Sequence, residues 1–231
     1  MIRYYDSGAS RKCIRLFNRY KEREIFVNIA EPTGLVSRSS MLEKFRANFP
    51  LPPEKWDNYI SRFTRIQVPA RTTLLREGDI SRRAYLIEKG CLRVWFISKG
   101  ADMTFQFFFE NNTVSSIESF RKGIPSLCSL ETIEPCTLWW IDKTDLDHIL
   151  NEMSEIPAVR NQILDALFER TLHYMEHFLS FIRDTPQERY ANLLTQRPHI
   201  VQRVPQHYIA SYLGISSVHL SRIKAKLARG K

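Results

Sequence analysis

No apolar run in this sequence approaches the roughly 18 residues needed to span a bilayer. The longest apolar stretches, Leu138–Ile141 and the Phe105–Phe109 run interrupted by Gln106, are strand-sized. The first 40 residues are rich in Lys and Arg but lack the apolar core of a secretory signal. Both absences point to a cytoplasmic protein with no membrane partner. Only four cysteines occur, Cys13, Cys91, Cys128 and Cys136, and no two stand in C-x-x-C spacing, so no metal or iron–sulfur motif is present. Cys91 and Cys136 lie in apolar runs, where a free thiol acts as a small core hydrophobe. Histidine is missing from the chain before position 148. A metalloenzyme on a cupin-like barrel would need His on its strands, so its ligands are absent. We expect no catalytic residues, no metal site and no cofactor, hence not an enzyme. His173 and His177 stand four apart on a predicted helix and could chelate a metal from one face, but on a dimer helix such residues are more often ordinary surface or seam positions.

What is present is an apolar fraction of 43%, enough for a packed core, and an uneven distribution of charge. Residues 1–40 hold eight Lys/Arg against four Asp/Glu, and residues 184–231 hold eight against two. The intervening stretch, with 18 against 19, is close to neutral. A basic C-terminal segment is the usual electrostatic footprint of a nucleic-acid binder, although a solvated basic tail would look the same by charge alone.

Glu31-Pro32-Thr33-Gly34 and Ser37-Arg38-Ser39-Ser40 read as linker, which sets 1–40 apart as an N-terminal extension, poorly anchored and conceivably upstream of a natural start at Met41. Met41–Phe63 has helical spacing in Leu42, Phe45, Phe49, Trp56, Tyr59, Ile60 and Phe63. Short β-branched and aromatic runs then alternate with turns. Leu74-Leu75, Ala84–Ile87, Cys91–Ile97, Met103–Phe109, Ser126–Ile133 and Thr137–Ile141 are the strand candidates. Strands this short, punctuated by Gly78, Gly90 and Gly100, indicate a barrel or jelly roll. Most of Leu92–Ile97 is apolar, which predicts burial on both faces. Helical patterning returns from Thr144 to Ile182. Ile156, Val159, Ile163, Leu167, Thr171, Tyr174, Phe178 and Ile182 follow at steps of three or four, widened by Met175, Leu179 and Phe181. Such a stripe is longer than a lone roll would cover and predicts a coiled-coil-like dimer seam, against the alternative of a helix lying on its own domain.

Thr185-Pro186 begins another helix, with Leu193 and Leu194 as its apolar face and Arg197-Pro198 as its end. The most specific stretch is Gln206–Ile223. Ile209 and Leu213 face inward from a first helix, Ala210 allows a second helix to cross closely, and Gly214 supplies the tight turn. Ser216 can cap the second helix, whose Leu220, Ile223 and Leu227 pack back while Ser217, Ser221 and Arg222 face outward. This spacing predicts a helix-turn-helix that places its second helix in the DNA major groove.

From these residues the chain resembles the Crp/Fnr family of bacterial transcription regulators over roughly residues 41–229. The carriers are Leu74-Leu75-Arg76-Glu77-Gly78-Asp79, the Tyr85–Arg93 hairpin and the helix-turn-helix. The resemblance implies an α+β architecture. A β-roll sensor domain of the jelly-roll type, similar to cyclic-nucleotide-binding domains, would occupy 41–150. A long dimerisation helix would run over 151–183, with an all-α, minimally winged helix-turn-helix domain at 184–231. His199–Val204 leaves room for a vestigial wing at most. The resemblance also implies that the protein works as a homodimer on a palindromic double-stranded DNA operator and communicates with RNA polymerase. It places the base-reading arginine on Arg222, which can bind guanine O6 and N7 together. The recognition positions that precede it fall on Ser217 and Val218, so the operator should differ from those of the best-known members. Ser216 and His219 fall near phosphates; Ser221, Lys224 and Lys226 complete the DNA-facing set.

In nucleotide-binding members a Gly-Glu pair and an Arg-Ser pair hold the cyclic phosphate and ribose. Aligned on Ser126, the arginine position holds Pro125 and the Gly-Glu positions hold Val114-Ser115. Without a guanidinium there, a phosphate would be desolvated with poor compensation. Ser115, Glu118 and Ser126 remain as candidates for a remodelled effector pocket, for a small molecule of unassigned identity. The competing readings are a cyclic-nucleotide-responsive regulator with that remodelled pocket, and a dimer that binds nucleic acid without sequence preference.

Overall fold

The computed structural model describes residues 52–229. The extension at 1–40 and most of the helical stretch expected from Met41 lie outside the described residues. The described part begins with α1 (Pro53–Ser61), which has Pro at its first position and buries Trp56 and Tyr59.

Next come β1 (Thr64–Val68), β2 (Thr73–Leu75), β3 (Arg83–Lys89), β4 (Leu92–Ser98), β5 (Ala101–Phe108), β6 (Thr113–Val114), α2 (Ile117–Lys122), β7 (Ser129–Thr132) and β8 (Cys136–Asp142). The strands pair antiparallel into two four-stranded sheets, in the orders β1-β8-β3-β6 and β2-β7-β4-β5. This is the predicted β-roll; β1 and β6 were not foreseen. Ile87, Leu92, Leu130 and Leu138, all at 0% exposure, form the centre of the core between the sheets.

The continuous apolar run in β3 follows from burial on both faces. Tyr85 and Ile87 point into the roll, while Ala84 and Leu86 meet the α1 side through Trp56 and Ile60. β4 is different. Leu92, Arg93 and Val94 are buried, but the strand becomes exposed by Ile97, so two-sided burial holds only for its first half. Ser98 pairs with Ala101 around a two-residue hairpin in which Lys99 and Gly100 both take positive φ, the geometry that matches strand twist.

α3 (Lys143–Ser154) leads to α4 (Pro157–Arg183), a helix of 27 residues about 40 Å long. The apolar stripe predicted along it divides. Ile156, Val159 and Ile163 close the roll's helical side against Trp56, Phe120, Ile149 and Met153, and Tyr174 lies 5.4 Å from Phe105 of β5. A second stripe is uncovered, sharing Met175, Leu179 and Ile182 with the predicted one, whose Leu167 and Phe178 are exposed as well. Leu164, Phe168, Leu172, Met175, Leu179 and Ile182 are 44–69% exposed at steps of three or four residues.

The last helices are α5 (Pro186–Gln196), α6 (Pro198–Arg203), α7 (Gln206–Tyr212) and α8 (Ser217–Arg229). Thr185 opens α5 with a capping box, its side chain accepting from the Glu188 N–H while Glu188 accepts from the Thr185 N–H. Leu193 is buried, but its expected companion Leu194 is 39% exposed; Tyr190 takes that inward position. Where the sequence suggested a vestigial wing there is instead α6, held in the core by Ile200 and Val204. Among the described residues no strand follows β8.

Candidate nucleic-acid interface

The α7–α8 pair is assembled on the inward residues that the sequence singled out. Ile209, Ala210, Leu213, Leu220 and Ile223 are each at most 5% exposed. Gly214 takes φ +68°, and a Cβ there would lie 2.9 Å from Cε1 of Phe181 at the end of α4. Both the turn conformation and the close approach therefore require glycine. Arg189 fastens the same turn from α5: its Nη2 donates to the Leu213 carbonyl (3.0 Å) while its guanidinium lies over Phe181 (4.6 Å).

Ser216 Oγ accepts from the His219 N–H at 3.2 Å and so caps α8. With Leu220 and Ile223 turned inward, Ser217, Val218, His219, Ser221 and Arg222 are exposed on the first turns of the helix. Lys226 and Arg229 are exposed further along, and Lys224 is half-buried. The residues expected from sequence to face DNA thus lie on α8 and its capping Ser216. Basic groups near its C-terminus also complement the helix dipole.

The head is seated on the roll, which the sequence did not reveal. β5 is the outer strand of its sheet, and α7 lies along it. Ser211 Oγ accepts from the Thr104 N–H (2.7 Å) and donates to the Asp102 carbonyl (2.8 Å), satisfying edge groups that would otherwise face solvent. Arg203 makes a two-pronged contact with Glu110 (2.8 and 2.7 Å) and also pairs with Glu134. The ring of Tyr208 lies 3.9 Å from the Arg93 guanidinium. Arg93 is 3% exposed and held by Asp102 (2.6 and 2.7 Å) and Glu131 (2.9 Å). Local patterning cannot identify most of these groups, because Ser211, Arg203 and Tyr208 lie about a hundred residues along the chain from their partners.

His173 and His177 face this junction from α4. His177 stacks on Tyr212 with ring centroids 4.4 Å apart. The Nη2 of Arg197 lies 2.6 Å from Nδ1 of His173, and Gln106 Nε2 lies 3.2 Å from its Nε2. Both rings are committed to protein partners. Burial, then the positive charge of Arg197, lowers each imidazole to about 4. An unfolded chain takes up these protons near pH 6.5, whereas the folded chain refuses them until about pH 4. Folding stability should therefore fall as pH drops from about 6.5 towards 4 and show no such loss above 6.5. Denaturant midpoints measured across pH 4–8 check this expectation. In the His173→Gln, His177→Gln double variant the acid slope should flatten; an unchanged slope would assign it to other groups.

The effector candidates do not converge on one cavity. Ser126 is buried, with its Oγ 2.8 Å from Ser116 Oγ and accepting from the Cys128 N–H at 3.2 Å. Ser119 Oγ donates to the Ile124 carbonyl (2.6 Å) and accepts from the Ser81 N–H (2.9 Å). These hydroxyls satisfy one another and the backbone. Ser115 is half-buried, whereas Glu118 is exposed and pairs with Lys122 one turn along α2. A cleft of about 400 Å³ opens nearby, lined by residues 79–83 together with Leu74, Leu75, Tyr85 and Asp142. None of Ser115, Glu118 or Ser126 lines it. Arg83 in its wall is already engaged, stacked on Trp140 at 4.0 Å and 3.6 Å from Asp142. Cys91 and Cys136 are buried free thiols, as their apolar runs implied, and burial pushes both up from the usual thiol range. No helix among the described residues is long and apolar enough to cross a membrane.

Residues 65–153 match the family model of the cyclic nucleotide-binding domain. No curated protein is significantly similar to the chain in sequence. Solved structures share its fold, three of them with TM-scores of 0.60 to 0.63. The c-di-GMP responsive global regulator CLP of Xanthomonas campestris is 17% identical with a TM-score of 0.60, over 78% of this chain and 93% of that one. FixK2 from Bradyrhizobium japonicum is 16% identical with a TM-score of 0.63, over 73% and 85%. A CooA variant from Carboxydothermus hydrogenoformans is 14% identical with a TM-score of 0.62, over 84% and 87%. Residues 65–153 thus resemble the cyclic nucleotide-binding domain, and the chain has the fold of Crp/Fnr-type regulators, in line with the resemblance carried by its sequence motifs.

Proposed function

We propose that this cyclic nucleotide-binding-domain protein is a sequence-specific DNA-binding transcription regulator that acts as a homodimer. In this reading the roll is the sensor domain, α4 the dimerisation helix and residues 184–231 the DNA-binding head. The observation that carries it is the outer face of α8. A two-helix unit fixed by a glycine turn presents Ser217, Val218, His219, Ser221 and Arg222 to solvent on a helix narrow enough for the major groove. Arg222 reads guanine; Ser216, His219, Lys224 and Lys226 contact or attract phosphates. The uncovered stripe of α4 supplies the dimer seam, so two recognition helices meet a palindrome with half-sites about 34 Å apart.

The serine network around Ser116 and Ser126 favours a sensor that does not grip a cyclic phosphate in the usual way. A phosphate entering there would have to break bonds already made around Ser116 and Ser126 and would meet Pro125 where the family's arginine stands. RNA polymerase is the downstream partner this reading expects.

Selection of genomic fragments by the purified protein at about 150 mM salt, with and without cAMP, tests the function. Enrichment of a palindrome without nucleotide is the expected result. A cyclic nucleotide requirement would instead favour a remodelled pocket that does bind it. Binding with equal affinity to all sequences would overturn specific recognition, since phosphate contacts alone carry no sequence information. On the enriched site Arg222→Ala should lose about 1–3 kcal/mol of binding, roughly 5- to 150-fold, with little change in affinity for unrelated DNA. Titration of both duplexes by fluorescence anisotropy reads this difference.

A further inference from the structure

Val218 is the anomaly of the outward face of α8. It is 62% exposed, flanked by Ser217 and His219, with Ser221 and Arg222 one turn on. A β-branched residue gains nothing there in the free protein: its stiff side chain lowers helix propensity, and its methyl groups are left in water. Every other exposed position from Ser217 to Arg222 carries a group able to hydrogen-bond. A lone exposed valine on an arbitrary surface would need no explanation. This one stands four residues before Arg222, on the same helical face.

Resting on the reading of α8 as a recognition helix, we propose that Val218 is a specificity-determining residue that selects thymine by apolar contact with its C5-methyl group. The major-groove edge of thymine carries this methyl, and an aliphatic side chain is its natural complement. The same side chain disfavours cytosine, whose exposed N4 amino group would lose water without gaining an acceptor. Four residues of helix advance about 6 Å, close to two base-pair steps. The thymine therefore lies within about two steps of the guanine bound by Arg222, on either strand. The operator half-site then combines one arginine-read guanine with one methyl-read thymine.

The test uses the full chain and its selected duplex. Each thymine in a half-site is replaced, one at a time and symmetrically in both half-sites, by deoxyuridine, which removes only the methyl group. Wild-type protein should lose about three- to fivefold in affinity per half-site at one thymine, the value of one buried methyl, and that thymine should lie within two steps of the Arg222-dependent guanine. Val218→Ser should bind the thymine and deoxyuridine duplexes alike at that position and keep its dependence on the guanine. Val218→Ala, which retains one methyl, should show a smaller discrimination than wild type. Insensitivity of the wild type to every thymine replacement, or full sensitivity in Val218→Ser, overturns the assignment to Val218 while leaving Arg222 recognition intact. Failure to enrich any sequence overturns the recognition-helix reading and this inference together.

Discussion

Replacing Arg93 with alanine should lower folding stability by about 3 kcal/mol and loosen the head from the roll. The side chain of Arg93 is 4% exposed, and it neutralises Glu131, itself 13% exposed, together with Asp102 at 39%. Breaking a buried pair by removing one partner costs about 3–5 kcal/mol, because the remaining charge stays desolvated. Asp102 is solvated enough to recover part of that loss, which places the expected value at the lower end of the range. The truncation also removes the surface on which Tyr208 rests and undermines the strand whose Asp102 carbonyl accepts from Ser211. Urea unfolding followed by tryptophan fluorescence measures the stability change. Limited proteolysis in the 183–205 region reads the loosening separately. Wild-type stability in Arg93→Ala would mean that the carboxylates are relieved by water and that the guanidinium does not hold the junction.

The same junction determines how α8 is presented. α7 is fixed to the edge of β5 by Ser211, and α6 to the roll by Arg203, while Gly214 rests on Phe181 at the end of α4. α8 packs on α7, so its direction is set by contacts from the roll and from the long helix. Arg203 is half-exposed, and its pairing with Glu110 and Glu134 is open to screening by salt. The Ser211 bonds to backbone are not. High salt should therefore weaken the junction without abolishing it.

The parts legible in the sequence were those written locally. The strands betrayed themselves by short aromatic and β-branched runs between turns, and the helix-turn-helix by the spacing of Ile209, Ala210, Leu213, Gly214, Leu220 and Ile223. β1 escaped because Thr64-Arg65-Ile66-Gln67-Val68 has few apolar residues and its inward side chains are only half-buried. β6 escaped because it is two residues long. α6 was hidden by Pro198, which reads equally as a stop for one helix and a start for the next. Arg93 illustrates a different limit. The run Leu92–Ile97 read as buried on both faces without a partner for its one charged residue, because Glu131 and Tyr208 are brought to Arg93 only by the sheet and by the docked helices. The stripe on α4 was visible as a pattern, but its division between the roll and an uncovered face depends on where β5 and the roll's helices lie.

That uncovered stripe, proposed as the dimer seam, supports the prediction with the largest effect on function. Leu164, Phe168, Leu172, Met175, Leu179 and Ile182 each leave about half or more of their surface in water. Covering the exposed part of such a side chain yields about 1 kcal/mol. Six from each of two helices therefore approach the association cost of 4–15 kcal/mol and can exceed its lower half. Phe168→Glu combined with Leu172→Glu would place four carboxylates in a dimer seam and convert that gain into repulsion and desolvation. Neither residue belongs to the buried core clusters, so the fold should persist, as circular dichroism would show. Analytical ultracentrifugation should then change from dimer to monomer. Affinity for the palindromic operator should fall by about 100-fold or more, because one head no longer raises the effective concentration of the other. Binding to an isolated half-site should be nearly unchanged, which separates loss of the dimer from damage to α8. A variant that remained dimeric would move the dimer contact away from α4 and leave its uncovered stripe without the role assigned to it.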